Sequence, residues 1–269
     1  WRAFIGIDLH SDRITVARLT AESGKLSISK DSCTFGSQAF QRFLESLHTD
    51  DYVLIENTFN AFWFHDLIAD RVKACYVYDT NQLRSDGNKN DKIDAEKLAK
   101  RMAYYITMGG EEEDFATVYV PEEKVRELRG LLSTYQLYNK IKVQMKNRIH
   151  SILKQSGICI KKDQITTRTF EKWIEGAELG QIWKDQIRTL LASLNDNEEQ
   201  QQEVKDMIYL RGDELFGEQI ELLLSIRGFS VYTAIVLMSD VVDVERFSSA
   251  KKFCSYLRTV PKTKASNQT

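Results

Sequence analysis

Short apolar segments alternate with amphipathic ones over the first hundred residues, and this order restricts the fold more than any other feature. Three closely spaced segments with strand-like patterns, at 4–9, 14–19 and 25–29, predict an antiparallel meander. Further strands are predicted at 52–55 and 74–78, and helices at 38–47, 59–69 and 93–106. The order βββαβαβα indicates an α/β domain over residues 1–110, with a mixed sheet and helices on its faces.

The chain beyond Pro121 changes character, because glycine and proline become rare and apolar residues recur at alternating three- and four-residue steps. This spacing is typical of a coiled-coil seam, and Lys142 is its one polar interruption. The seam consists of Leu128, Leu131, Tyr135, Tyr138, Met145, Ile149 and Ile152. A second, more broken repeat runs over 183–208, so that an antiparallel helical hairpin or a dimer satisfies both. We assign a helical arm to 121–212 and an α-helical C-terminal domain to 213–269.

Composition excludes several classes of protein. With 2 prolines and 13 glycines, the chain is neither collagen-like nor a proline-rich or glycine-rich linker. No apolar run approaches the ~18–20 residues of a membrane-spanning helix. The 4 cysteines stand singly, which is typical of a reducing cytosol and argues against a structural zinc site.

Basic residues are clustered although the formal net charge is only −2. Residues 128–162 include eight basic side chains and no acid, and residues 246–269 include six and no acid. Two interpretations are open: a solvated helix face that pairs with the acidic segment at 194–221, or a surface that contacts nucleic-acid phosphates. The second assigns phosphate contacts to Arg129, Lys140, Lys142, Lys146, Arg148 and Lys154.

Four acidic residues stand where a sheet edge can gather their side chains. Asp8 and Glu56 each end a predicted strand, and Asp91 and Asp94 lie three apart near a helix start, on one helix face. Clustered carboxylates repel one another unless a cation neutralises them, and Mg²⁺ prefers oxygen ligands, as does Mn²⁺. We therefore predict a divalent-metal site with these four ligands. The plainer alternatives are turn acids and a helix N-cap.

A helix, a turn and a second helix are predicted near the C-terminus. The apolar segment at 222–226 is followed by Gly228 and by a second apolar segment at 231–237. This pattern predicts a helix-hairpin-helix-like element in which backbone N–H groups around Gly228 face a DNA phosphate. Ser230 stands where such hairpins usually carry a second glycine, and an ordinary turn between helices is the alternative.

These motifs resemble those of the IS110 family of insertion-sequence transposases, which are related to the Piv DNA invertase. The resemblance rests on GID at 6–8, IE at 55–56, NDKIDA at 90–95, IRGF at 226–229, FSSA at 247–250 and YLRTVP at 256–261. It implies a RuvC-like, RNase-H-like N-terminal domain whose DEDD carboxylates, Asp8, Glu56, Asp91 and Asp94, bind Mg²⁺. A coiled-coil arm and a C-terminal serine transposase domain are expected to follow.

The resemblance also implies a DNA transposase or recombinase in which a serine attacks DNA and forms a covalent phosphoserine intermediate. Ser266 is the best match to that serine. The implied partners are DNA, a guiding bridge RNA and further copies of the chain, joined as a dimer or tetramer through the arm, with no membrane. The implied location is the cytoplasm of a bacterial or archaeal cell, at the nucleoid. Because the family's serine domain continues further, we expect the chain to lack part of it.

Two other functions are compatible with the residues. A metal-dependent nuclease of the Holliday-junction-resolvase type would use the carboxylates to hydrolyse DNA without a covalent intermediate. A non-catalytic nucleic-acid-binding assembly protein would use the basic helix alone. An actin-like ATPase is disfavoured, because that fold needs further glycine-rich loops and the chain has no such cluster.

Overall fold

The computed structural model describes residues 3–22, 25–79, 95–109, 117–161, 165 and 168–259. The chain divides into two compact units, Trp1–Val120 and Pro121–Thr269. The first unit is α/β and the second is helical, as expected from the sequence. Within the described ranges, no helix is long and apolar enough to cross a membrane. The division of the second unit into an arm and a C-terminal domain stays a prediction.

The first unit is built on a six-stranded mixed sheet with the order β3-β2-β1-β4-β5-β6. The strands are β1 (Ala3–Leu9), β2 (Arg13–Glu22), β3 (Lys25–Thr34), β4 (Tyr52–Glu56), β5 (Ala74–Tyr78) and β6 (Thr117–Val118). The pairs β1–β2 and β2–β3 are antiparallel, which confirms the predicted meander. The pairs β1–β4 and β4–β5 are parallel, and the short β6, which was not predicted, pairs antiparallel with β5.

Helices cover both faces of this sheet because successive strand residues point to opposite sides. Ile5 and Ile7 pack on the face that carries α1 (Gln38–Ser46) and α2 (Ala61–Ile68), which a short 3₁₀ turn at Ala69–Arg71 follows. Phe4 packs on the other face with α3 (Ala95–Met108). Each face therefore has its own apolar core, and β1 contributes to both.

The backbone of α3 lies directly against β1 at Gly6. A Cβ atom at Gly6 would come within 2.0 Å of the Ala95 carbonyl oxygen and 2.5 Å of the Ala99 nitrogen. Both neighbours are helix backbone atoms, which cannot rotate away as a flexible side chain can. Only glycine fits this position, and the fit brings the first turn of α3 onto β1, the strand that carries Asp8.

Replacement of Gly6 by alanine tests this contact. We expect Gly6→Ala to lower the free energy of unfolding of the first unit by about 2 kcal/mol or more, because the added methyl group must displace helix backbone. Urea denaturation of the full chain, followed by hydrogen exchange of peptides from β1 and β4, measures the loss.

The matched control is Gly130→Ala, because no atom lies within 4 Å of a Cβ at Gly130 and its helix gains from alanine. We expect this control to stabilise the second unit by about 0.5–1 kcal/mol. Wild-type stability of Gly6→Ala would contradict the close packing of α3 on β1.

The second unit is dominated by two long helices. Its elements are α4 (Glu123–Gln155), α5 (Arg168–Gly176), α6 (Gln181–Leu224), α7 (Val231–Val241) and α8 (Ala250–Tyr256). Leu128, near the start of α4, belongs to one core cluster with Ile208 and Phe216 of α6, whereas Ile149, near the end of α4, clusters with Ile187. The two helices therefore pack antiparallel, which confirms the predicted hairpin. A coiled-coil supercoil stays a prediction.

The long helix α6 changes direction at Phe216, whose φ of −140° and ψ of 23° are non-helical. One turn earlier, a Cβ at Gly212 would come within 2.7 Å of the Ile235 side chain of α7. The end of α6 and α7 thus pack closely, and Phe216 joins their apolar cluster.

A polar layer interrupts the apolar contact between α4 and α6. The Gln201 Nε2 donates to the Asn139 Oδ1 at 2.7 Å, and the Lys142 Nζ lies 2.7 Å from the Glu198 Oε1. Asn197 and Gln201 are buried, and the Asn197 Oδ1 has no hydrogen-bond partner among the described residues. Lys142, the polar interruption in the predicted seam, is thus accommodated by an acid on the facing helix.

Candidate metal centre and nucleic-acid surfaces

Asp8 and Glu56 are neighbours at the carboxyl ends of β1 and β4. The parallel register pairs Gly6 with Leu54 and Ile7 with Ile55, so the next residue on each strand is one of the two acids. Both acids follow buried strand residues and are themselves half-buried. Because paired residues point to the same side and neighbouring strands are ~4.8 Å apart, the two carboxylates share one edge of the sheet, on the face covered by α3.

His10 is a neighbour of Asp8 to which sequence reasoning gave no role. Its Nε2 lies 3.4 Å from the Asp8 Oδ2, and the histidine side chain is 40% exposed. The sequence contained a signal for this contact, because side chains two residues apart along an extended chain lie on the same side. The imidazole therefore borders the solvent side of the candidate carboxylate site.

Asn60 ties together the chain segments that follow β1 and β4. Its Nδ2 donates to the His10 carbonyl at 3.0 Å, and its Oδ1 accepts from the Thr58 Oγ1 at 2.9 Å. The Asn57 N–H donates in turn to the Tyr78 carbonyl at the end of β5. The bonds from Asn60 to His10 and from Asn57 to Tyr78 thus join the ends of three neighbouring strands beside Asp8 and Glu56.

The other three predicted catalytic residues, Asp91, Asp94 and Ser266, lie outside the described residues. Within the ranges that the structure describes, no group of three or more His, Cys, Asp or Glu side chains could hold a metal ion. The described part of the predicted metal site is the neighbouring pair Asp8 and Glu56.

The predicted nucleic-acid contacts on α4 fall into two groups, and the first makes contacts within the second unit. The Arg129 Nε donates to the Ser239 carbonyl at 2.8 Å, and its Nη2 donates to the Asp240 carbonyl. Lys142 pairs with Glu198 in the polar layer. Burial and, secondly, the charge of Lys142 lower the pKa of Lys146.

Lys140, Arg148 and Lys154 form the second group, and all three are exposed. None makes an ion pair or hydrogen bond with a described residue. At about 100° per residue their directions fall within an arc of about 120°, and at 1.5 Å per residue they span ~21 Å. They constitute a basic stripe along the face of α4 opposite Ile149. By the same rotation of about 100° per residue, Lys142 and Lys146 point outside this arc and do not belong to the stripe.

The predicted hairpin around Gly228 joins α6 to α7. Gly228 has a φ of 104°, a conformation that favours glycine. The Ser230 Oγ accepts from the Thr233 N–H at 3.1 Å and so acts as the N-cap of α7. Serine at this position therefore binds one of the helix-terminal N–H groups that a DNA phosphate would otherwise contact.

Three side chains donate to the last carbonyl groups of α7. Besides Arg129, the Arg246 Nε donates to the Val241 carbonyl at 2.9 Å, and the Tyr256 hydroxyl donates to the Asp240 carbonyl at 2.9 Å. The Arg246 guanidinium also lies 4.2 Å and 4.6 Å from the ring centroids of Phe247 and Tyr256. The end of α7 is thereby fixed to α4 and to α8, the last described helix.

Arg129→Gln separates the structural role of Arg129 from a role in nucleic-acid binding. We expect the variant to lower the free energy of unfolding by about 1–3 kcal/mol, because partly buried carbonyl groups lose a charged donor. Lys140→Gln is the matched control, since it removes an exposed charge from the same helix and should change stability by less than about 0.5 kcal/mol. Equal urea midpoints for the two variants would contradict the structural role of Arg129.

Two family models match the chain. The model for DEDD transposases of the IS110 type matches residues 5–158, which include Asp8, Glu56, Asp91 and Asp94. The model described as "Transposase IS116/IS110/IS902 family" matches residues 220–269, which include Gly228 and Ser266. No curated protein matches the chain.

The longer match covers more than half of the chain and contains the two neighbouring carboxylates, and the shorter one covers the helices that follow the hairpin. Membership of a DEDD family implies a divalent metal requirement. The chain belongs to the IS110 family of transposases, enzymes of DNA recombination.

Proposed function

We propose that this transposase cuts and rejoins DNA with a divalent-metal site formed by Asp8, Glu56, Asp91 and Asp94 and with Ser266 as the nucleophile. The observation that carries the proposal is the neighbouring placement of Asp8 and Glu56 at the ends of two parallel strands. Asp94 immediately precedes Ala95, and the Ala95 carbonyl lies against Gly6, two residues before Asp8. This sequence relation supports the inclusion of Asp94.

The topology supports an RNase-H-like, RuvC-like assignment for the first unit. An antiparallel meander at one side of the sheet, β1 to β3, is followed by the parallel strands β4 and β5 on the other side of β1. The carboxyl end of the central strand β1 then carries the first acid, and the adjacent β4 carries the second. In this arrangement both carboxylates reach the open edge of the sheet.

The donor chemistry at this edge suits a hard cation. Asp8 and Glu56 supply carboxylate oxygens, which Mg²⁺ and Mn²⁺ accept, and their mutual repulsion is relieved when a cation is bound. When bound, a divalent cation neutralises charge on the phosphate and on the departing oxygen. Asn60 and the backbone bonds around it hold the strand ends in place, so the two carboxylates are positioned before DNA binds.

Ser266 would attack the phosphorus through its Oγ, and the bond from phosphorus to one sugar oxygen would break. The hydroxyl proton passes to a neighbouring base, and the departing sugar oxygen is protonated. Because a phosphoserine diester replaces the DNA phosphodiester, attack by another sugar hydroxyl can rejoin the strand without a high-energy cofactor. A serine hydroxyl needs activation at neutral pH, which the carboxylate site can supply.

A covalent adduct between protein and DNA tests this mechanism. The full chain is incubated with element-end DNA, flanking RNA and Mg²⁺, and the products are separated in detergent. We expect Asp8→Asn, Glu56→Gln and Ser266→Ala each to lower adduct formation by at least about 10²-fold, since the first two remove a ligand of the proposed metal site and the third removes the nucleophile. Asp12→Asn is the matched control, because Asp12 is an exposed acid in the turn after β1.

Nicked DNA without an adduct would instead identify a hydrolytic nuclease, and Ser266 would have no catalytic role. An adduct that Asp8→Asn and Glu56→Gln leave at the wild-type level would contradict the carboxylate site. Loss of the adduct in Asp12→Asn would show a general effect of charge rather than an effect of the site.

The basic stripe of Lys140, Arg148 and Lys154 supports a nucleic-acid surface on α4, for the DNA and for a guide RNA. Its three exposed cations have no described partners, and no acid occurs between residues 128 and 162. Self-association as a dimer or tetramer through the arm is supported by exposed apolar side chains on both long helices. These are Leu137 and Val143 on α4 and Met207 and Leu210 on α6.

Salt dependence tests the stripe. Neutralisation of Lys140, Arg148 and Lys154 to glutamine is expected to reduce the slope of log K against log salt by about 2–3, because each lost phosphate contact removes ~0.7–0.9. The control variant neutralises two exposed lysines of the second unit that lie outside both basic segments, Lys124 and Lys172. An equal change of slope in both variants would contradict a specific role for the stripe. Fluorescence anisotropy with labelled duplex DNA and with RNA measures both slopes.

A further inference from the structure

A cavity of about 310 Å³ lies between α1 and the paired strands β2 and β3. The strand residues that line it include Val16 and Arg18, which point to the same face as Ile14, the face covered by α1 and α2. Asp8 and Glu56 point to the other face, with α3. The cavity is therefore separate from the candidate metal centre.

Arg18 is held in place inside this cavity. Its Nη2 donates to the Ser46 Oγ at 2.8 Å and its Nη1 to the Ser46 carbonyl at 3.4 Å, which joins β2 to the end of α1. The Nη1 also lies 3.5 Å from the Oδ2 of Asp51, which is fully buried. The guanidinium is thus oriented before any ligand arrives, and this lowers the entropic cost of binding one.

Arg42 supplies a second guanidinium to the same end of the cavity. It stands four residues before Ser46 on α1, which is about one helical turn, and it lines the cavity with Ser46. It is exposed and makes no ion pair or hydrogen bond with a described residue. A guanidinium presents a planar fork of donors that matches a phosphate group.

An acid and an apolar wall complete the cavity. The β2–β3 register places Asp31 opposite Val16, two residues from Ser29, which is opposite Arg18. The carboxylate therefore lies ~7 Å along the strand from the arginine end. Val16 and the half-buried Phe43 provide apolar surface.

This distribution of charge limits the ligands that fit. A polyanion such as a bare polyphosphate would be repelled by Asp31. A ligand with one anionic group and, at its other end, hydroxyl or amino donors satisfies both the arginine end and the carboxylate. The volume is at the lower end of the range for small-molecule sites, which suits one such ligand and excludes a duplex.

We propose that this cavity binds a nucleotide, with the phosphate at Arg18 and Arg42, a sugar hydroxyl at Asp31 and the base against Phe43. A free nucleoside monophosphate and an unstacked nucleotide within a strand present the same groups, so both are sources of this ligand. The proposal is independent of the carboxylate site and of Ser266.

Calorimetric titration of the full chain with AMP, adenosine and inorganic phosphate tests the proposal. We expect AMP to bind at least tenfold more tightly than either fragment, because it alone reaches both ends of the cavity. Arg42→Gln is expected to weaken AMP binding tenfold or more, the effect of losing one charge-assisted hydrogen bond. Asp31→Asn, on the exposed strand β3, is expected to weaken it severalfold.

Arg71→Gln is the matched control, since Arg71 is exposed in the same unit and does not line the cavity. Wild-type affinity of this control, together with the loss in Arg42→Gln, supports the site. AMP binding no tighter than that of adenosine, or equal affinities of Arg42→Gln and the wild type, overturns the proposal. So does an equal loss in Arg71→Gln, which would show a general charge effect.

The dinucleotide ApA separates the two sources of ligand. Binding of ApA as tight as that of AMP supports a nucleotide held within a strand, because its phosphate is a diester. Tight binding of AMP with at least tenfold weaker binding of ApA supports a free nucleotide. Comparison of AMP with dAMP then shows whether the 2′-hydroxyl contributes.

Discussion

The contact between the backbone of α3 and Gly6 is the constraint on which the first unit depends. Where a helix rests on a strand without an intervening side chain, neither can slide without a collision between backbone atoms. This contact sets the height of α3 above the sheet. The first turn of the helix thereby packs on the strand that carries Asp8. The position of this turn beside the candidate metal site depends on the absence of a Cβ atom at Gly6.

The pairing of β1 with β4 positions the two acids at the end of these strands. The parallel register of β1 and β4 brings Asp8 and Glu56 side by side, although 47 residues separate them in the sequence. Asn60 then joins the segments that follow the two strands. Like charges are held close by main-chain hydrogen bonds whose strength does not depend on those charges. Strand pairing, and not any attraction between the carboxylates, therefore keeps the two acids adjacent.

Local patterns in the sequence predicted β1 to β5 and the three helices of the first unit, and they left a hairpin or a dimer open for the two long helices of the second. Short apolar runs identified β1 and β4, and the ends of these two strands directed attention to Asp8 and Glu56. The two-residue β6 was too short to leave a pattern. The helical repeat could also have separated Lys142 from Lys140, because their directions on α4 lie about 160° apart.

Contacts between distant residues were not predictable in this way. Arg129 donates to carbonyl groups 110 and 111 residues further along the chain, and a backbone acceptor leaves no trace in side-chain patterns. The role of Gly6 likewise depends on the approach of a helix that begins 89 residues later. His10 and Asn60 became relevant only when three strand ends were placed side by side. The sequence alone showed the ends of strands, but not the bonds that tie them together.

The polar layer between α4 and α6 has a consequence for how the second unit assembles. An apolar seam by itself is tolerant of translation, because one leucine can replace another when a helix moves by a heptad. Here such a movement would leave the Asn139 and Gln201 amides and the Lys142 and Glu198 charges facing apolar side chains without partners. The layer therefore specifies one register between the two helices, and with it the position of the basic stripe along α6.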